Sequence, residues 1–231
     1  MLQCTDICFS VKKKDILRDV NFTIEPGEIC AIVGASGAGK SSLFNLLIGS
    51  HKPSLGMITL DQANIGQLKP KELQRYRRNI GIIFQDFRLL PQKTVYENVA
   101  YALEVCGMDD MKETRIPSLL KLVGLVDKKD RFPHELSGGE KQRVAIARAL
   151  IHTPKILIAD EATGNLDPKN SREIAELFLH LHKVKGLTII FSTHDPIMVE
   201  KLKPRVLKLN DGQLVLDKKE CTLNEAFAGI I

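Results

Sequence analysis

Apolar positions along this chain begin with strand-like spacing and pass into short apolar runs that alternate with helical spacing. Leu2 to Val11 and Ile16 to Ile24 read as strands joined by a Lys-rich turn and closed by Glu25-Pro26-Gly27, so the chain is expected to open on a hairpin. An apolar run from Glu28 to Val33 predicts a third strand, and Lys40 to Ile48 a helix. Pro53 to Gly56 marks a turn, Met57 to Leu60 a short strand, Lys71 to Arg77 a helix and Ile80 to Phe84 a buried strand.

From Gln85 to Pro154 the pattern changes to helices and loops. Val95, Val99, Ala102 and Leu103 fall at helical spacing behind a Thr94 cap, which predicts a helix over Val95 to Val105. Pro117 predicts a kink or break between Met111 and Val123. A further helix is expected over Glu140 to Ile151. The last third alternates again: strand Ile156 to Asp160, helix Asn170 to His182, strand Leu187 to Ser192, a short helix from Pro196, and strands around Asp211-Gly212. That alternation predicts a parallel α/β architecture, one domain over 1–231 with a helical insert at about 86–154. The tail from Cys221 to Ile231 receives no assignment.

Chemistry enters at GASGAGKSS, which is Gly34, Ala35, Ser36, Gly37, Ala38, Gly39, Lys40, Ser41 and Ser42. Its spacing, between a strand and a helix, fits a P-loop, in which glycines let backbone amides turn inward onto a β-phosphate. Lys40 would reach the β- and γ-phosphates, Ser41 would bind Mg2+, and the helix would direct its positive end at the anion. A second Gly-rich turn, Leu136 followed by Ser137, Gly138, Gly139 and Glu140, also opens a helix and repeats that physics. The one lysine of the phosphate-gripping type is already placed at Lys40. Two half-sites in one chain predict two copies paired head to tail about a two-fold axis, with LSGGE of one facing the P-loop of the other.

Composition narrows the partners. With 231 residues, 44% hydrophobic and 26% charged, and no apolar run near the roughly 18 residues of a transmembrane helix, a soluble cytoplasmic chain is expected. The beginning, MLQCTDICFS, lacks the basic-then-apolar layout of a signal peptide. Five cysteines without a CxxC pair argue against a disulfide framework or a zinc site. The net charge of +5 gathers locally at Lys12 to Lys14 and at Arg75, Arg77 and Arg78. Such short runs read as solvated faces, and without interleaved aromatics no nucleic-acid partner is expected.

Taken together, the P-loop, LSGGE and the KQRVAIARAL behind it resemble the ABC-type ATPases, over essentially Met1 to Asp217. The resemblance implies a P-loop ABC ATPase fold: a mostly parallel core sheet, an N-terminal antiparallel β portion and an inserted α-helical lobe. It also implies an ATP hydrolase that uses ATP and Mg2+. Ile156 to Ala159 followed by Asp160 and Glu161 resembles the Walker B element, so Asp160 would hold Mg2+ with Ser41 and Gln85, and Glu161 would orient or deprotonate the attacking water. Gln85 resembles the Q-loop glutamine that links core and lobe, and His194 in FSTHD the switch histidine at the γ-phosphate. Gly164-Asn165-Leu166-Asp167 resembles the D-loop, which would place Asp167 at the dimer interface. The other five histidines read as structural.

Two positions depart from the family pattern. The aromatic residue that usually stacks on adenine falls at Val11, with Phe9 two residues earlier as a candidate substitute. Ala162 stands where proline usually follows the catalytic glutamate. Within the family, FQDFRLLPQKTVYENVAYALEV and DEATGNLDP are most similar to the bacterial cell-division branch. Lipoprotein-release and macrolide-export ATPases share TGNLD, and a transporter subunit of that kind is the alternative. The division resemblance implies a homodimer on the cytoplasmic face of the inner membrane, peripheral to it. Its partner would be an FtsX-like integral membrane protein through which it regulates peptidoglycan hydrolysis. The docking surface is expected near Phe87, Leu89, Leu90 and Tyr96.

Overall fold

The computed structural model describes residues 1–164 and 166–230, so Asn165 of the D-loop stretch and the last residue lie outside the described residues. The opening hairpin is β1 (Leu2–Val11) and β2 (Lys14–Ile24), paired antiparallel, with Leu2 opposite Ile24 and Val11 opposite Lys14. Strand β3 (Ile29–Val33) leads into α1 (Lys40–Leu47), followed by β4 (Leu55–Leu60), β5 (Ala63–Asn64), α2 (Pro70–Arg77) and β6 (Ile80–Ile83). Helices α3 (Val95–Cys106), α4 (Lys112–Leu122) and α5 (Gly138–Leu150) fill the interval before β7 (Ile156–Ala159). The chain then runs through α6 (Pro168–Lys185), β8 (Thr188–Ser192), α7 (Pro196–Leu202), β9 (Arg205–Asn210), β10 (Gln213–Lys218) and α8 (Leu223–Phe227).

Two sheets result. One is antiparallel, in the order β2-β1-β4-β5; the other runs β10-β9-β3-β8-β7-β6, parallel from β9 to β6 with β10 antiparallel at its edge. Strands β7 and β8 are buried at every position and β3 at four of its five, as a parallel sheet covered on both faces demands. Their pleat divides the core. Ala31, Val33, Leu157 and Ala159 face α5 and α6, whereas Cys30, Ile32, Ile156 and Ile158 face α1 and the antiparallel sheet. The expected mostly parallel core with an antiparallel β portion is therefore present.

Three local readings change. Helix α4 runs unbroken through Pro117. The carbonyl that Pro117 cannot bond belongs to Glu113, and both residues lie on the exposed face, where water serves that carbonyl. Helix α6 extends past both predicted ends: Asp167 caps it by accepting from the Asn170 amide at 2.9 Å, with Pro168 in its first turn. The unassigned tail forms α8, capped reciprocally by Thr222 and Glu225, with Ala226 and Phe227 buried.

Candidate nucleotide site

The turn from β3 into α1 is held from outside. Ala38 accepts from the Gly212 amide at the β9–β10 turn, 3.2 Å, and the hairpin lies against Gly39. At φ +103°, a Cβ on Gly39 would sit 2.7 Å from Leu17 Cδ2 and 3.1 Å from the Ile16 carbonyl, so glycine is required there. Lys40 is buried, its Nζ donating to the carbonyls of Gly34 at 2.7 Å and Ala35 at 3.1 Å. The ammonium is thus folded over the loop whose amides would cradle the phosphates.

Beside this loop a cleft of about 440 Å³ opens at the carboxyl ends of β6 and β7, where open α/β sheets bind ligands. Ser41, Gln85 and Asp160 all line it, with Asn45 and Phe84. One carboxylate, one hydroxyl and one amide are hard oxygen donors, and no group of three or more His, Cys, Asp or Glu side chains fit to cage a metal occurs among the described residues. This set fits Mg2+, which binds few protein carboxylates and completes its shell with phosphate oxygens and water.

Asp160 follows β7, and its amide donates to the Ile83 carbonyl at 2.9 Å. Its Oδ1 accepts from Ser192 Oγ at 2.6 Å, and the same hydroxyl accepts from the Glu161 amide at 2.9 Å. Glu161 takes a left-handed backbone, φ +48°. Its Oε2 lies 3.7 Å from Nδ1 of the half-exposed His194, so the two sequence-predicted groups share one small space above Gly164.

LSGGE lines none of that cleft. Ser137 caps α5 through its Oγ to the Glu140 amide, 3.3 Å, and Glu140 Oε2 accepts from the Ser137 amide, 2.8 Å. The Ser137 amide holds the Glu140 carboxyl below its usual range, and Lys128 approaches it at 3.5 Å. Within the single chain Glu140 serves as half of the α5 cap. Gly139 abuts Asn170, whose amide a Cβ would strike. Asn170 Nδ2 donates to Asp167 Oδ2 at 2.6 Å and its Oδ1 accepts from Arg143 at 3.3 Å, so Asp167 and the LSGGE turn are joined within one chain.

The Phe9 ring is buried in the hairpin core and meets His51 edge-on at 5.6 Å, while Val11 at the hairpin end is 46% exposed.

A groove of about 630 Å³ runs between α2, β6, α3 and α5, lined by Ile82, Leu90, Tyr101 and Val105 and rimmed by Arg78 and Arg148. Of the expected docking residues only Leu90 lines it, because Phe87, Leu89 and Tyr96 pack partly buried against the core. Sequence reasoning missed Ser192, Asn170 and Arg148. A hydroxyl at the end of the buried strand that leads to His194 was a usable signal for the first; the other two carry none.

The ABC transporter family profile matches residues 17–164. The cell division ATP-binding protein FtsE of Streptococcus pneumoniae is 46% identical over 91% of this chain and 93% of its own length. The methionine import ATP-binding protein MetN of the same species is 45% identical over 91% of this chain but 62% of its own length. Among solved structures, the ATP-binding cassette MJ0796, a post-hydrolysis dimer bound to ADP and Pi, superposes with a TM-score of 0.86 at 32% identity, covering 96% of this chain and all of that one. A P-loop with a buried lysine, an Asp-Glu pair at the carboxyl edge of the sheet, a separate LSGGE turn and these relatives identify the chain as an ATP-hydrolysing member of the ABC transporter family.

Proposed function

We propose that this chain is the ATPase of an FtsE–FtsX-type complex, a homodimer docked on an integral membrane protein through which it regulates peptidoglycan hydrolysis during division. The observation that carries this reading is the 46% identity to FtsE, which extends over 93% of that protein. The groove supports it: an apolar floor with the exposed Arg77 and Arg78 at its edge suits an amphipathic segment carrying carboxylates. No helix among the described residues is long and apolar enough to cross a membrane, so a spanning partner would supply that part.

In this reading the amides of Gly34 to Ser42 and Lys40 bind the phosphates, Val11 borders the base, and Ser41, Gln85 and Asp160 hold Mg2+. When bound, Mg2+ neutralises charge on the transferring phosphoryl group as a Lewis acid. Glu161 orients the water and receives its proton, and His194 donates toward the γ-phosphate. Ser137, Gly138 and Gly139 of the second copy close the site and exclude bulk water, with Asp167 at the interface. The separation of LSGGE from the cleft favours that division of labour.

The test is purification of the tagged chain from detergent-solubilised native membranes, with mass spectrometry of the stoichiometric partner. A four-span protein with a large extracytoplasmic loop between its first two spans is the expected result. A transporter permease would move the reading to transport, which the MetN similarity favours as the second possibility. Recovery of no membrane protein would overturn both.

A further inference from the structure

We propose that Ser192 is a positioning residue of the ATPase site, its hydroxyl fixing the Asp160 carboxylate and the Glu161 backbone together. Ser192 ends β8 and is 1% exposed. Its one hydroxyl proton goes to Asp160 Oδ1 at 2.6 Å, and its lone pair receives the Glu161 amide at 2.9 Å. The next hydroxyl in the chain serves a different turn, Thr193 Oγ1 accepting from the Asp195 amide at 2.9 Å.

The arrangement answers a local difficulty. Glu161 is a non-glycine residue at φ +48°, a conformation that side chains resist, and Ala162 after it lacks the ring that would stiffen the turn. The turn is therefore held from the neighbouring strand. Strands β7 and β8 pair with Ala159 opposite Phe191, which sets Ser192 beside the Asp160-Glu161 step. By occupying Oδ1, Ser192 also fixes the rotation of the Asp160 carboxylate in the cleft it shares with Ser41 and Gln85. One hydroxyl thus aligns the metal-facing carboxylate with the start of the water-activating residue.

This inference rests on the roles assigned above to Asp160 and Glu161. The experiment compares Ser192→Ala, Ser192→Cys and Ser192→Thr with the unaltered protein by three measurements. These are amide hydrogen exchange across Asp160–Thr163 without nucleotide, the Mg2+ concentration that half-activates ATP hydrolysis, and the melting temperature. Loss of a buried hydrogen bond to a carboxylate predicts about tenfold faster exchange at Glu161 and about tenfold more Mg2+ for half-activation in the Ala and Cys variants. KM for ATP at saturating Mg2+ stays within about twofold and Thr restores both values. Cys keeps the side-chain volume, so it reports even where Ala fails to fold. Exchange and Mg2+ dependence unchanged in Ser192→Cys would overturn the proposal. Glu161→Gln, assayed alongside, separates the premises: full turnover there defeats the role given to Glu161, whereas an inactive Glu161→Gln beside an unaffected Ser192→Cys defeats only the positioning role.

Discussion

Arg148→Met tests how the segment after Gln85 is held. Phe87 and Arg88 are consecutive left-handed residues, φ +59° and +46°, and neither is glycine. Each such residue costs about 1–2 kcal/mol, so the turn carries roughly 2–4 kcal/mol of strain. Arg148 on α5 grips both carbonyls, through Nη2 to Phe87 at 2.7 Å and Nη1 to Arg88. Two bonds from a charged donor contribute about 1.5 kcal/mol each at the low end of their range, the appropriate end for a partly exposed pair. Clamp and strain nearly balance. Methionine keeps the stem but removes the fork, so the turn relaxes and the net loss of global stability is at most about 1 kcal/mol, a fall in Tm of no more than roughly 2–4 °C. Locally the clamp is lost in full, and amide exchange over 84–90 should accelerate by about 100-fold while α5 itself stays protected. Hydrogen exchange followed by mass spectrometry, with calorimetry alongside, reads both. Unchanged exchange over 84–90, or a Tm loss beyond about 10 °C with exposure of α5, refutes the clamp and makes Arg148 an ordinary packing residue.

Other outcomes follow from single contacts. Gly139→Ala drives a Cβ into the Asn170 amide that holds Asp167, and should cut ATP-dependent dimerisation, read by light scattering, by at least about tenfold. Its Tm should move by only a few degrees. Glu225 has its carboxyl pulled down to about 2 by Lys218 and by the Thr222 amide. Because the folded-state value is depressed, this support for α8 is present above the ordinary carboxyl range and disappears as pH falls toward about 2. Glu225→Gln should therefore expose the tail to limited proteolysis at neutral pH, and acid should do the same in the unaltered chain. Pro117→Ala restores a donor to the Glu113 carbonyl and should raise stability by about 1 kcal/mol, seen as a higher urea midpoint. Phe9→Ala removes a buried ring and should cost about 3–5 kcal/mol, with ATP affinity of the folded protein within about twofold. Val11→Tyr should tighten ATP about threefold by calorimetric titration, given the exposed position and the worth of an aromatic stack.

The chain's α/β order was legible because its core strands are nearly pure apolar runs and its helices carry capping signals such as Thr94 with Glu97. The same held for Gly34 to Ser42, where a spacing of residue types encodes a backbone shape. Reading failed where the outcome depends on which face meets water. Pro117 breaks no helix because its face is exposed, and Phe9 is buried because the hairpin packs that face inward, and neither fact is written in local sequence. Glu140 shows a further limit: its position three after Ser137 makes it half of a cap, a role its residue type alone does not reveal. Asn170 and Arg148 were invisible because each works by touching a segment 27 and 61 residues away, respectively.

The two Gly-rich turns are anchored to different parts of the molecule, a difference that fits the proposed pairing of two copies. The P-loop is braced by the β1–β2 hairpin and the β9–β10 turn, all parts of the sheet core. LSGGE is braced by Asn170 at the start of α6 and, through Glu140, by Lys128 in the helical lobe. Helix α5 carries LSGGE at its beginning and Arg148 near its end, so the helix that presents one half-site also grips the turn after Gln85. That turn lies between Gln85 in the cleft and Leu90 in the arginine-rimmed groove. Under the proposed docking, a segment seated in the groove would bear on the turn, the turn on α5, and α5 on the half-site offered to the other copy. In the proposed head-to-tail pair both sites would be built from one copy's core and the other's lobe, so a rotation of lobe against core would open or close both together.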